Sequence, residues 1–120
     1  MKILLVDDEE ELVSTLALRL GLRDITADWT SNPQKAEDMV AQNQYQVAIL
    51  DVKMPGINGF ELKQRLEQKD PALKFIFMTG HGSENYYRQG CSETGEAYYL
   101  VKPVDITRLM EKINEVIDGN

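Results

Sequence analysis

The sequence holds a single cysteine, Cys91, in 120 residues. One thiol closes no internal disulfide, so stability has to come from a packed core, and a reducing, cytoplasmic setting is the expectation. His81 is the only histidine. Nitrogen and sulfur donors are therefore too scarce for a zinc site. No apolar run approaches the ~20 residues of a membrane-spanning helix. The opening MKILLVDDEE reaches its acids too soon to hold the apolar stretch of a secretory signal. Basic residues are in deficit, with 13 Lys and Arg against 20 Asp and Glu and a formal charge of −7. Nucleic acid is an unsuitable partner for such a chain, because phosphate contacts need a basic surface. Divalent cations and basic protein patches remain compatible with it.

What is present is an alternation of short apolar runs and amphipathic stretches. Hydrophobic residues make up 42% of the chain, which places it in the globular class. Its length suits one domain over residues 1–120. Lys2–Val6 (KILLV) reads as a buried strand. Glu9–Leu20 follows with Leu12, Leu16 and Leu20 on one helical face beside Val13 and Ala17, and Gly21 is a stop signal. Asp24–Thr30 reads as a more exposed strand. Ser31-Asn32-Pro33 is a helix start, with Ala36, Met39 and Val40 as the buried stripe. Gln46–Leu50, Lys74–Met78 and Ala97–Val101 are three further apolar runs. Asn58–Gln68 is expected to be helical, burying Phe60, Leu62 and Leu66. The last helix starts at a cap, Asp105, and carries Ile106, Leu109, Met110, Ile113 and Ile117 on one face. Between Ser83 and Thr94 a helix from Glu84 is interrupted by Gly90, where glycine costs roughly 1 kcal/mol relative to alanine.

Strand and helix thus alternate five times, the pattern of a parallel sheet covered on both faces and doubly wound by right-handed crossovers. Ligands of such sheets sit beyond the carboxyl ends of the strands. The groups at those ends are Asp7-Asp8, Asp51, Thr79-Gly80-His81-Gly82 and Lys102-Pro103. Taken singly, each has a plain explanation: acids starting a helix, a polar strand end, a turn hydroxyl, a solvated lysine. Together they fall on one rim and none falls on the opposite one. Two carboxylates ~4 Å apart repel by about 4 kcal/mol at an effective dielectric of 20, so three of them need compensation from a proton, a cation or Lys102. Hard oxygen donors completed by water suit Mg²⁺ or Mn²⁺. A carboxylate beside such an ion, with a lysine and a hydroxyl in reach, suits phosphoryl transfer through an acyl phosphate.

On "ILLVDDEE", "AILDVKMPGINGFEL", "FIFMTGHG" and "YYLVKP", in this order and at these spacings, the sequence resembles the receiver domain of bacterial two-component response regulators over essentially its whole length. The resemblance implies a flavodoxin-like (βα)5 fold with strand order 2-1-3-4-5. It implies that Asp51 accepts a phosphoryl group from the phosphohistidine of a sensor kinase or phosphotransfer protein. Asp8, Asp51 and the backbone carbonyl of Lys53 would ligate Mg²⁺ directly, and Asp7 through water. Lys102 would contact the phosphoryl group, with a cis bond to Pro103. Thr79 would move toward the phosphoryl oxygen and Tyr99 would turn inward with it, changing the face made by the fourth helix, fifth strand and fifth helix. The side chains of Lys53 and His81 would tune how fast water removes the phosphoryl group. The stretch between Thr79 and Gly95 is slightly longer than the usual pattern, so the fourth helix is expected to be short or irregular. A downstream protein, or an output domain fused in a longer chain, would read the signal, and a homodimer formed on phosphorylation is compatible with it. No membrane partner is expected.

Two other functions fit parts of the pattern. A Mg²⁺-dependent phosphohydrolase with an aspartyl intermediate would favour a second acid two residues after the nucleophile, where Lys53 stands. A flavin-binding domain of similar topology would need a hydroxyl- and glycine-rich phosphate loop where Asp7-Asp8 stand.

Overall fold

A computed structural model describes residues 1–80 and 99–118. Five parallel strands form one sheet in the order β2-β1-β3-β4-β5: β1 is Lys2–Val6, β2 Thr26–Thr30, β3 Val47–Asp51, β4 Lys74–Thr79 and β5 Tyr99–Val101. The helices described are α1 (Glu10–Gly21), α2 (Pro33–Gln42), α3 (Gly59–Lys69) and a C-terminal helix (Ile106–Asp118). The doubly wound sheet and its strand order are as the sequence pattern and the resemblance imply. The segment from His81 to residue 98, with the expected fourth helix, lies outside the described residues.

The alternation of side chains along each strand explains the two layers. Leu4, Val6, Ala48, Leu50, Phe75, Phe77 and Tyr99 join residues of α2 and α3 in one cluster. Ile3, Leu5, Val47, Ile49, Ile76, Met78 and Leu100 join residues of α1 and the C-terminal helix in the other. With both faces covered, the central strand β3 (VAILD) is buried throughout, whereas the edge strand β2 keeps most of its residues partly or fully exposed. The stripe on α1 differs slightly from expectation. Val13, Leu16 and Leu20 are buried, while Leu12 is only half-buried.

Helix starts are set by local chemistry. Asn32 accepts a hydrogen bond from Gln34 N at 2.9 Å, with Pro33 at the first helical position. Asn58 and Glu61 form a capping box, in which Glu61 N donates to Asn58 Oδ1 at 2.9 Å and Asn58 N to Glu61 Oε1 at 3.3 Å. Boundaries shift by a residue or two. Glu9 is the N-cap of α1 rather than its first residue, and Asp24 sits at φ 64°, a turn geometry that delays β2 to Thr26.

Register brings the functional ends level. Val6 aligns with Thr30 and Leu50, Asp51 with Met78, and Thr79 with Val101. Pairing continues past the strands: Val52 N donates to Met78 O at 3.0 Å and Lys102 N to Thr79 O at 2.7 Å. Gly59 closes the loop after β3. Its N–H donates to Val52 O at 2.8 Å, and a Cβ built on it would lie 2.5 Å from Asp51 O. Backbone, not a movable side chain, stands in the way. Gly59→Ala is therefore expected to cost about 1–3 kcal/mol through forced backbone displacement, measured as a lowered urea midpoint with unchanged slope.

Candidate phosphoryl and metal site

The rim beyond the carboxyl ends gathers Asp7, Asp8 and Asp51, whose carboxylate oxygens come within 4.8 Å of one another. Asp7 and Asp51 are buried and Asp8 is exposed. Asp7 is fixed from three sides. Its N–H donates to Thr30 O at 3.3 Å, its Oδ1 accepts from Glu9 N at 2.9 Å, and Lys102 Nζ stands 2.8 Å from its Oδ2. That last contact is an ion pair off the hydrogen-bonding direction, so Asp7 Oδ2 is buried with a counter-charge and no hydrogen bond. Lys102 also lies 2.8 Å from Glu9 Oε1 and 3.4 Å from Asp51 Oδ1. Its peptide bond to Pro103 is cis, as the resemblance implies. The aliphatic stem of Lys102 passes beside Gly80, where a Cβ would come within 3.3 Å of Lys102 Cδ.

Three carboxylates thus surround one ammonium, and the protonation equilibria of the buried groups record it. Burial pushes the Asp51 carboxyl up to about 7, the Asp7 charge adds to that, and Lys102 opposes it. Asp7 is raised too, chiefly by burial against the pull of Lys102. Burial works against the charge of Lys102, but its contacts with Asp7 and Glu9 outweigh that and hold the ammonium above its ordinary range. The deficit of positive charge, the oxygen-only donor set and the unsatisfied Asp7 Oδ2 together fit a hard divalent cation.

Beside these groups an open cleft is lined by Asp8, Glu9, Asp51, Lys53, Gly80 and Lys102. Lys53 is exposed at its mouth. Thr79 is buried, and its Oγ1 donates to Leu100 O at 3.4 Å. Tyr99 is also buried, its ring 5.3 Å from Phe77 in a stacked arrangement and 6.4 Å from Phe60. The ring is thus packed inward while the Thr79 hydroxyl is turned to β5. His81 lies outside the described residues. The residue that sequence reasoning passed over is Glu9. It read as a helix-starting acid, and only the approach of β5 to the start of α1, 93 positions away, gives it a partner.

The parallel sheet of this strand order, with its acidic rim, defines the class of flavodoxin-like α/β domains with ligand groups at the carboxyl ends. Within that class, the family model of the response regulator receiver domain matches residues 3–114, and the chain belongs to this family. It is 32% identical over 115 residues to response regulator ArlR of Staphylococcus epidermidis, covering 96% of this chain and 52% of that protein. It is 29% identical over 119 residues to the transcriptional regulatory protein YesN of Bacillus subtilis, covering 97% and 32%. The chain therefore spans about half or less of these relatives. Among solved structures, a receiver domain from Clostridium thermocellum superposes with a TM-score of 0.86 at 28% identity, covering 98% of this chain and 94% of the other. Response regulator TrrA of Thermotoga maritima, solved in complex with Mg(2+)-BeF, gives 0.79 at 30% identity, covering 96% and 97%. These likenesses are to response regulators, not to a phosphohydrolase. Among the described residues no helix is long and apolar enough to cross a membrane.

Proposed function

We propose that residues 1–120 act as one phosphoacceptor signalling unit in which Asp51 takes a phosphoryl group from the phosphohistidine of a sensor kinase or phosphotransfer protein. The observation that carries this reading is the convergence of a buried Asp51 with Asp7, Asp8 and Lys102 at the open end of the sheet.

A carboxylate oxygen of Asp51 attacks phosphorus, the P–N bond to the donor imidazole breaks, and the ring nitrogen leaves with a proton. The product is an aspartyl phosphate. Lys102, 3.4 Å from Asp51 Oδ1, is placed to neutralise charge on the transferring oxygens. Asp8, Asp51 and the Lys53 carbonyl would hold Mg²⁺ or Mn²⁺, with Asp7 acting through water, and the ion when bound would offset the negative charge gathered there. Relatedness to a protein solved with Mg(2+)-BeF supports that choice.

The switch we propose starts at Thr79. At 3.4 Å its contact with Leu100 O is longer than an ordinary hydroxyl hydrogen bond. Little is lost when the hydroxyl turns to a phosphoryl oxygen instead, and the carbonyl it releases is next to Tyr99. A change at Thr79 would thereby reach the stacked ring and the outer strand β5, biasing two packings of that face. Lys53, exposed at the cleft, and His81 would tune the lifetime of the phosphoryl group. The reader of the changed face would be a downstream protein or a fused output domain, with a second receiver copy as a further partner.

Addition of Mg²⁺ and beryllofluoride, a phosphoryl mimic, is expected to shift amide resonances of Asp51, Thr79 and Tyr99–Lys102 in slow or intermediate exchange. Asp51→Asn is expected to remove the response, and an undiminished response in that variant contradicts the assignment.

A further inference from the structure

Glu9 has no role in the chemistry above, yet its position is tightly defined. Its N–H is held by Asp7 Oδ1 at 2.9 Å and its carbonyl accepts from Val13 N at 3.2 Å, so its backbone is fixed at the start of α1. Its carboxylate does not cap that helix. It reaches instead across the rim to Lys102 Nζ at 2.8 Å, closer than Asp51 at 3.4 Å. The side chain of Glu9 is 62% exposed, while that of Lys102 is 15% exposed. The mobile partner is therefore the carboxylate, and the ammonium is the fixed one.

We propose that Glu9 is an internal anionic competitor for the phosphoryl-binding ammonium, occupying Lys102 until a phosphoryl group on Asp51 displaces it. The inference rests on the phosphoacceptor reading of Asp51 and Lys102. An ammonium has three donors, and here two carboxylates already lie within 2.8 Å of it while a third approaches. Asp7 is buried and cannot withdraw, whereas Glu9 can swing into water at small cost. A phosphoryl group brings additional negative charge to the same place, so Glu9 is the contact that gives way. Glu9 thus sets the affinity of the site for phosphoryl groups without touching the reacting atoms.

The neighbouring Glu10 supplies the control. It bears the same charge one residue along, but its Oε1 accepts from Ser31 Oγ at 2.9 Å and has no contact with Lys102 among those described. Beryllofluoride is titrated in saturating Mg²⁺ into wild type, Glu9→Gln, Glu10→Gln and Asp51→Asn, with binding followed by NMR. Glu9→Gln is expected to tighten binding roughly two- to fivefold, as loss of an exposed ion pair allows. Glu10→Gln is expected to give less than half of that gain. The advantage of Glu9→Gln should shrink as salt is raised from 0.05 to about 1 M. Unchanged or weaker binding in Glu9→Gln overturns the proposal, and so does an equal gain in Glu10→Gln, which would make the effect one of general charge. Binding that persists in Asp51→Asn, or is absent in wild type, instead defeats the phosphoacceptor reading itself.

Discussion

Asp51→Asn is expected to abolish phosphoryl uptake and, in the same molecule, to stabilise the metal-free fold. The two effects share a cause. The folded protein holds the Asp51 carboxyl at about 7, against an ordinary value near 3.8, because burial and the Asp7 charge disfavour ionisation. A carboxyl raised in this way opposes folding. Below about pH 4 it is protonated in both states and costs nothing. Between there and pH 7 the unfolded chain ionises while the folded one resists, and above pH 7 the whole penalty is present. A shift of this size corresponds to no more than about 4 kcal/mol. The amide keeps the shape and removes the charge. The variant should therefore match wild type at pH 4 and exceed it at pH 8 by roughly 1–3 kcal/mol in urea melts with chelator present. Equal stability at both pH values would contradict the electrostatic account. Millimolar Mg²⁺ should narrow the gap at pH 8, because binding to the folded state stabilises wild type by mass action.

The second large effect is expected from Lys102→Met, which keeps the apolar stem and removes the cation. The ammonium's raised equilibrium contributes stability that is fully present below its ordinary value of 10.5, hence throughout the neutral range. Without it, the buried Asp7 Oδ2 has neither a hydrogen bond nor a counter-charge among the described residues. Removing one partner of a buried pair costs about 3–5 kcal/mol. Lys102 is not wholly buried, so about 2–3 kcal/mol at pH 8 is the expectation. The loss should shrink as pH falls toward 4, because Asp51, held at about 7, is then protonated and the raised carboxyl of Asp7 takes up its proton more readily than an ordinary one. Phosphoryl uptake from a small donor should slow about a hundredfold or more, as for other single charge-stabilising groups. A variant that is as stable as wild type at pH 8 and reacts at the wild-type rate would remove Lys102 from the site.

The contrast between these substitutions explains why the site is costly to keep. Asp7 and Asp51 sit where apolar side chains would pack without penalty, at the ends of strands whose preceding residues are wholly buried. The fold supports them with main-chain contacts, such as Glu9 N to Asp7 and Lys102 N to Thr79, and with Lys102. A cation or a phosphoryl group, on the proposed reading, would find a site already assembled.

Much of this architecture is legible in the sequence because its signals are local. Apolar runs of five residues, the Asn-Pro start of α2 and the stripe of the C-terminal helix each encode their element within a few positions. The carboxylates and Lys102 are legible for a different reason: a parallel sheet puts all carboxyl ends on one rim, so topology alone brings residues 7, 51 and 102 together. What sequence does not encode locally is the reach of a side chain across that rim. Glu9 looks like any acid at a helix start. Its pairing with Lys102 depends on how β5 sits against the start of α1. The closeness of Gly59 to the Asp51 carbonyl is likewise invisible until the loop after β3 folds back. The capping box at Asn58 and Glu61 could have been read from the spacing alone and fixes the start of α3 one residue later than the apolar pattern suggests.

The central claim is that Asp51 is the residue that carries the phosphoryl group. It is tested most directly by incubating the protein with Mg²⁺ and a small phosphodonor, then measuring intact mass and mapping the adduct by peptide fragmentation after trapping. The account predicts one phosphoryl group per chain, dependent on Mg²⁺ or Mn²⁺, located at Asp51 and missing in Asp51→Asn. A wild-type adduct on His81 or any other residue, or an adduct that survives in Asp51→Asn, would contradict it.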